Sequence, residues 1–198
     1  MKEIEEQIRE RMTRVEETAA RNFSRIADAG FNVKTVSDQA FSIVQENMSS
    51  RAKLGKLIAL VDSVAATVAP FVACKETCSG CCYIPVPISE VEAERIGAAI
   101  GRPPAKMASD HEASMEKFTG VVCTFLVDRK CSIYEHRPMS CRAHVSLDED
   151  PLLCEAQPYG RPDVKVYSLD LRFVDLAYVM MNGARHVADV REFFPANR

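Results

Sequence analysis

The strongest constraint on this sequence is where its cysteines lie. The chain has eight Cys among 198 residues, and all eight fall between Cys74 and Cys154. It opens with the charged run MKEIEEQIRERM, which has no apolar core of a secretory signal. A reducing compartment is then the default, and there clustered cysteines are more often metal ligands or redox groups than disulfides. We therefore expect a cytoplasmic protein in which one central segment carries the thiol chemistry.

The spacing of the cysteines is typical of metal-binding loops. The first four follow the pattern C-x3-C-x2-C-C, and the last four the pattern C-x7-C-x9-C-x12-C. Short spacings of this kind let two thiolates reach one metal. Neighbouring residues Cys81 and Cys82 point in different directions, which favours two centres, or one ligand beside a residue with a supporting role. The candidate ligands are Cys74, Cys78, Cys81, Cys82, Cys123, Cys131, Cys141 and Cys154.

The metal itself is left open by the residues. All-sulfur ligation selects zinc, iron–sulfur or copper(I) over magnesium or calcium. Two zinc sites, one four-iron cluster with spare thiols and a thiolate-bridged pair of metals all fit eight cysteines. His136 and His144 flank the later cysteines and could replace one thiolate. Cys123 and Cys154 also suit small buried hydrophobic residues, and disulfides would require export.

Apolar periodicity predicts long helices before the first cysteine. Residues 1–29 carry one apolar stripe that packs on the body or on a second copy in a homodimer. Residues 36–72 indicate further helix, with Ser37 as a candidate cap and a break near Ser49 or Gly55. The apolar run 57–73 is short and contains a carboxylate, so a buried core helix is favoured over a membrane span. The stripe comprises Ile4, Ile8, Met12, Val15, Ala19, Phe23 and Ile26.

The later part of the chain predicts shorter elements, and together they define the fold class. A helix is expected from a capping box at Ser89 to Gly101, another over 105–118, a strand over 121–127, and a helix over 169–182 between a Ser168 cap and a Gly183 stop. We expect a mainly α protein with at most short strands. A helical region 1–73 and a C-terminal loop and helix 155–198 enclose an irregular, metal-organised module 74–154.

Charge and composition argue against nucleic acid as a partner. The formal net charge is −3, Trp is absent and aromatic residues make up 7% of the chain. Nucleic-acid binding normally needs a basic face or a stacking platform of aromatic rings. The partner that the sequence does predict is a metal ion.

The cysteine blocks also resemble a known family. The run CKETCSGCC, followed by PISEVE and later by CSIYEHRPMSCR, is similar to the CxxCxxCC cysteine-cluster family. These are the YkgJ-like proteins, described as candidate zinc- or iron-chelating domains. The resemblance covers about residues 74–154, and the first spacing is three residues here instead of two. It implies a zinc, iron or iron–sulfur centre built from the first seven cysteines, with Cys154 as an eighth candidate.

Three residues of the second block are candidates for supporting such a centre. Arg137 and Arg142 lie beside Cys141 in the sequence and could donate charge-assisted hydrogen bonds to electron-rich sulfurs. The alternative for Arg137 is an ion pair with a carboxylate such as Glu135. Tyr134 is expected to seal the site from water.

Several functions remain open at this point. The sequence fits a redox protein with an iron–sulfur cluster, a zinc-stabilised structural or adaptor module, and a metal-handling protein. A related cysteine block in flagellin lysine methylases makes methyl transfer a distant alternative, although no G-x-G-x-x-G loop is present here. Whether the protein is an enzyme is undecided.

Overall fold

The computed structural model describes residues 2–75, 77–108, 114–156, 161, 163–183 and 187–196. It is mainly helical and its strands are short, which confirms the predicted fold class. The helices are α1 (Lys2–Asp28), α2 (Val33–Gln45), α3 (Ser50–Val68), α4 (Glu90–Ile100), α5 (Met139–Ala143), α6 (Leu152–Ala156), α7 (Arg172–Asn182) and α8 (Val190–Phe193). The strands are β1 (Pro87–Ser89), β2 (Leu126–Val127), β3 (Lys130–Cys131) and β4 (Val187–Asp189).

Local capping determines where the N-terminal helices begin. The side chain of Asn32 accepts a hydrogen bond from the Thr35 backbone N–H at the start of α2, and Ser49 caps α3 in the same way. The predicted Ser37 cap is therefore wrong, because Asn32, five places before it, already caps the first turn of the helix. The break predicted near Ser49 is confirmed, whereas Gly55 lies inside α3.

Helix α1 packs its apolar stripe within the chain. The buried members are Ile8, Val15, Ala19 and Ile26, and a satellite core joins two of them to Leu153 and Val164. Ile4 and Phe23, at the edges of the stripe, are exposed. Intramolecular packing therefore accounts for most of the stripe, and dimerisation through this helix stays a prediction.

Helix α3 is the central helix of the main core. Its buried side chains are Leu54, Leu57, Ile58, Val61, Val64 and Val68. Together with the turn that follows it, Ser50–Phe71, it is long and apolar enough to cross a membrane by length and composition, with 33% of its most apolar window buried inside the molecule. One such helix does not establish a span. The same core includes α7 residues Val174 and Ala177.

Two antiparallel strand pairs hold the cysteine-rich segment in position. Strands β1 and β4 pair with Ile88 opposite Ala188, which ties the end of the first cysteine loop to the C-terminal part of the chain. Strands β2 and β3 form a hairpin whose turn residues, Asp128 and Arg129, both have positive φ. A second core cluster includes Ile88 of β1 and Ala188 of β4; its largest members are Ile88, Ile96, Phe125, Ile133, Phe193 and Phe194.

Three predicted elements are corrected by this arrangement. In the described part of 105–118 the only helical segment is a 3-10 turn at 116–118, and the Ala105 N–H instead donates to the Phe193 carbonyl at 2.8 Å. The predicted strand 121–127 is reduced to β2, because the Cys123 N–H bonds the Cys82 carbonyl at 2.7 Å. Ser168 forms a β-bridge with Ser146, so α7 begins at Arg172 and not at 169.

Candidate metal centre

Seven of the eight cysteines line one cavity of about 170 Å³. They come from four segments: the loop after α3, the approach to β2, strand β3 and helix α5. The lining cysteines are Cys74, Cys78, Cys81, Cys82, Cys123, Cys131 and Cys141, and all eight in the chain are free thiols. The fold thus brings together residues that are up to 67 positions apart in the sequence.

The first cysteine loop is folded by tight turns. The Cys78 N–H donates to the Lys75 carbonyl and the Cys82 N–H to the Ser79 carbonyl, both at 2.9 Å. A Cβ atom at Gly80 would lie 2.7 Å from the carbonyl oxygen of Cys154. Glycine at this position therefore lets the loop approach the α6 backbone closely.

Backbone N–H groups point at several of the sulfurs. The residue two places further along hydrogen-bonds each of three thiols: Gly80 to Cys78, Phe125 to Cys123 and Ile133 to Cys131. The Ser146 N–H lies 3.2 Å from Cys74 Sγ. Each of these donors favours the thiolate over the thiol, as hydrogen bonds do around metal-bound sulfur.

Burial has the opposite effect on the pKa of the free thiols, because it favours the neutral form. It raises the pKa of Cys78 to about 11 and the pKa of Cys141 well above its ordinary value. For Cys81 the largest influence is a hydrogen bond with Cys82, and burial raises the pKa further. These thiols are therefore neutral at pH 7 without a cation, and a cation in the cavity would favour their ionisation.

Arg137 lies where its charge acts on three of the sulfurs. Burial raises the pKa of Cys74 and Cys131, and the Arg137 guanidinium partly offsets that rise, as it also does for Cys81. The guanidinium stacks on the Tyr134 ring at 4.0 Å and donates to the Tyr134 carbonyl at 3.0 Å. Both side chains line the cavity, and their support of a metal centre stays a prediction.

Arg142 has a different role from the one predicted. It also lines the cavity, but its described hydrogen bonds go to oxygen atoms: Asp62 at 2.5 Å, the Glu135 carbonyl at 2.5 Å and the Arg137 carbonyl at 2.9 Å. The buried guanidinium therefore joins α3 to the segment that carries Arg137. It supports the site by holding that segment in place.

The remaining candidates are divided between the cavity and its surroundings. His144 lines the cavity, and burial lowers its pKa, so its imidazole is neutral. His136 is exposed and is not among the lining residues. Cys154 also stands outside the lining: it is buried, hydrogen-bonded to Ser146, and its pKa is raised by burial to about 12.

Arg191 is a supporting residue that the sequence analysis missed. Its guanidinium donates to both carboxylate oxygens of Asp189, at 2.8 and 2.9 Å. It also donates to the carbonyls of Cys82 and Ile84 at 3.1 Å and of Val121 at 2.8 Å. The signal was the run DVRE, because Asp189 and Glu192 form a capping box that orders this segment.

In the structure, the Glu92 side chain has different hydrogen-bond partners from the one that the sequence predicted. Ser89 caps α4 as predicted, but the fully buried Glu92 carboxylate does not return to the Ser89 N–H. It accepts instead from the Met139 N–H at 2.7 Å and from the Tyr178 hydroxyl at 2.6 Å. Glu92 thereby caps α5, the helix that carries Cys141, from a distance.

The donor set fits a soft metal. Among the residues that the structure describes, no group of three or more His, Cys, Asp or Glu side chains is already arranged to hold a metal ion. The seven thiols line the cavity, N–H groups donate to several of them, and the charge of Arg137 acts on three, which is the chemistry that favours zinc, iron or an iron–sulfur cluster. Binding would therefore require the sulfurs to converge by small movements of their loops.

A cavity lined by seven thiols is an arrangement that can bind a metal ion. Residues 73–160 match the model of the CxxCxxCC family, whose description is "putative zinc- or iron-chelating domain". The match covers the whole set of cysteines and confirms the resemblance predicted from the sequence. No curated protein and no solved structure was found to match this chain.

Proposed function

We propose that this protein holds zinc or iron in a thiolate centre whose ligands come from the seven cysteines of the cavity. The observation that carries this proposal is their convergence: four separate segments each bring at least one thiol to a single space of about 170 Å³. Cysteines that served only as small buried hydrophobic residues would have no reason to meet around one cavity. The family match to zinc- or iron-chelating domains supports the same proposal.

Seven thiols exceed what one four-ligand centre uses, so a pair of metals or one iron–sulfur cluster with spare thiols both fit. One structural zinc needs four ligands, and one cluster is held by four cysteines. Hydrogen bonds to sulfur and the charge of Arg137 stabilise an electron-rich centre and raise its reduction potential. We therefore propose a redox-capable centre in a cytoplasmic protein, where reducing conditions keep the spare thiols free.

A zinc-stabilised structural module without catalysis is the second candidate. It is favoured by the irregular backbone of the described residues between 72 and 86, which outside a 3-10 turn at Gly80–Tyr83 forms few regular hydrogen bonds. Metal ligation can supply the folding free energy that such a segment lacks. Metal handling stays a further alternative, and methyl transfer a distant one.

The test is the metal content and visible absorption of anaerobically purified protein, measured with two matched variants. Cys81→Ser removes a cavity thiol, whereas Cys154→Ser removes a buried thiol outside the lining. We expect Cys81→Ser to lose most of the metal and Cys154→Ser to keep it. Brown wild-type protein with iron and sulfide supports the redox centre, and colourless protein with zinc supports the structural module.

Two experimental outcomes would contradict this proposal. Stable wild-type protein without metal, with eight reactive thiols, would overturn it. Equal metal loss in both variants would contradict the assignment of the cavity as the site.

A further inference from the structure

A second, open cavity meets the thiol cavity at the candidate ligands themselves. This cleft has a volume of about 530 Å³ and lies between the end of α5 and the start of α7. Cys81, Cys141 and His144 line both spaces. Two candidate ligand thiols and one neutral imidazole therefore stand between solvent in the cleft and the centre.

The cleft carries a negative charge at its outer end. Asp170, Arg172 and Asp175 line it there. The Arg172 guanidinium donates to both oxygens of Asp170, at 2.9 and 2.6 Å, so these two charges largely cancel. Asp175 then gives this end of the cleft its net charge.

The thiol cavity has the opposite charge on its own side. Its charged lining residues in the described part of the chain are Lys75, Arg137 and Arg142. Arg142 is paired with Asp62, which leaves Lys75 and Arg137 as the net charges. A cation that approached from this side would meet two positive groups before it reached a sulfur.

We propose that the cleft is the route by which a hydrated divalent cation, Zn²⁺ or Fe²⁺, enters and leaves the thiol centre. The proposal rests on the proposed function, since it presumes that the cysteines bind metal. The Asp175 carboxylate attracts a hydrated cation, and the field of a cleft with negative net charge raises the local cation concentration. At the floor the ion exchanges water for the softer sulfurs of Cys81 and Cys141, and each thiol that binds releases one proton to water.

The experiment is the rate of Zn²⁺ uptake by metal-free protein and of Zn²⁺ transfer to a chromogenic chelator. Asp175→Asn should slow uptake by about threefold at low salt, because steering depends on charge. The difference should vanish near 1 M salt, where the Debye length is about 3 Å. The matched control is Asp28→Asn at the end of α1, which changes the same charge but lines neither cavity.

A second variant tests the route by its width. Ser168 lines the cleft and its side chain is exposed, so Ser168→Phe should narrow the passage without filling the core. We expect it to slow uptake and release by the same factor, with the final zinc content unchanged. Equal slowing of uptake and release would show that the variant obstructs the path of the ion, because a change in affinity would alter the two rates by different factors.

The outcomes separate this proposal from the function on which it rests. If both cleft variants bind the full complement of zinc at the wild-type rate, the route is wrong and the metal centre stands. If Lys75→Gln alone changes the rate, entry occurs from the other side and the cleft is excluded. If wild-type protein takes up no zinc at any rate, the metal centre and its route both fail.

Discussion

Arg191 joins the C-terminal segment to both halves of the cysteine module through one buried guanidinium. Its donors reach the carbonyls of Cys82, Ile84 and Val121, while its charge is balanced by Asp189. Carbonyls of irregular loops have no sheet or helix partners, so they need a donor from elsewhere when they are buried. Arginine provides several donors in a fixed plane, which lysine cannot do.

We therefore expect Arg191→Lys to destabilise the protein even though the charge is kept. The lost hydrogen bonds leave buried carbonyls unpaired, at a cost of about 2–4 kcal/mol in the free energy of unfolding. Chemical denaturation measures this. Arg21→Lys, which alters an exposed pair with Glu149, is the control and should change little. Equal stability of the two variants would contradict the role of Arg191.

A second residue-scale prediction concerns Glu92. Burial raises the pKa of this carboxyl, while hydrogen bonds from Tyr178 and Met139 act against the rise. A group whose pKa is raised in the folded state binds its proton more tightly there, so its stabilising effect is present below the unfolded-state pKa, about 4.3, and is lost as pH rises through the folded-state pKa.

Glu92→Gln should remove that dependence, because glutamine cannot ionise. The difference in unfolding free energy, wild type minus variant, should fall as pH is raised from about 4 toward neutral. Thermal unfolding of both proteins across this range measures it. A difference that rises with pH would mean that the hydrogen bonds outweigh burial.

At the scale of elements, capping decides how much could be predicted. Helices α1, α3 and α4 were predicted within a few residues because their signals are local: an apolar stripe, Ser49, and Ser89 with Gly101. Strand β4 was missed because the tail has too few apolar repeats to show a period, whereas a last helical turn was expected in this tail and is present as α8. Strand β4 is held by pairing with β1, about a hundred positions away in the sequence, and apolar periodicity gives no signal of such long-range pairing.

The sequence predicted which residues are candidates for the site but not how they are arranged in space. Spacing and family resemblance named all eight cysteines, yet neither could show that Cys154 stands behind Gly80 and outside the cavity. The same limit applies to Arg142, since its partner Asp62 is 80 positions away on α3. Side-chain partners at such distances depend on the packed structure.

Two glycines on different elements should respond to alanine in opposite ways. At Gly80 a Cβ atom would press on the Cys154 carbonyl, so Gly80→Ala should destabilise the protein by about 1–3 kcal/mol. At Gly55, inside α3, no atom lies within 4 Å of a Cβ, so Gly55→Ala should stabilise it by about 0.5–1 kcal/mol. Denaturant titration of both variants gives the sign of each change in unfolding free energy. Changes of the same sign would contradict the close approach of the Gly80 loop to Cys154 as the cause.

At the scale of the whole molecule, the main core and the cysteine module are supported differently. Helices α2, α3 and α7 share one apolar core that includes Ala40, Val61 and Val174. The cysteine loops depend on Arg191, on short strand pairs and, in our proposal, on metal. Loss of metal should therefore affect the two parts unequally.

We expect a strong chelator to remove hydrogen-exchange protection from the loops at 74–86 and 121–137 before it affects α3 or α7. Opening free energies vary across a structure, and segments whose order depends on metal ligation should lose protection first when the metal is removed. Exchange measured by mass spectrometry with and without chelator tests this. Uniform loss of protection would show that the metal supports the entire fold.

The pairing of β1 with β4 and the reach of Arg191 to Cys82 have a consequence for how the protein is made. A ribosome adds about 5–20 residues each second. The residues between Cys82 and Arg191 therefore take roughly 5 to 20 s to synthesise. During that interval the first four thiols have been made while the arginine that fixes their loop has not. An oxidant pulse during translation should therefore damage this protein far more than the same pulse given after the chain is complete.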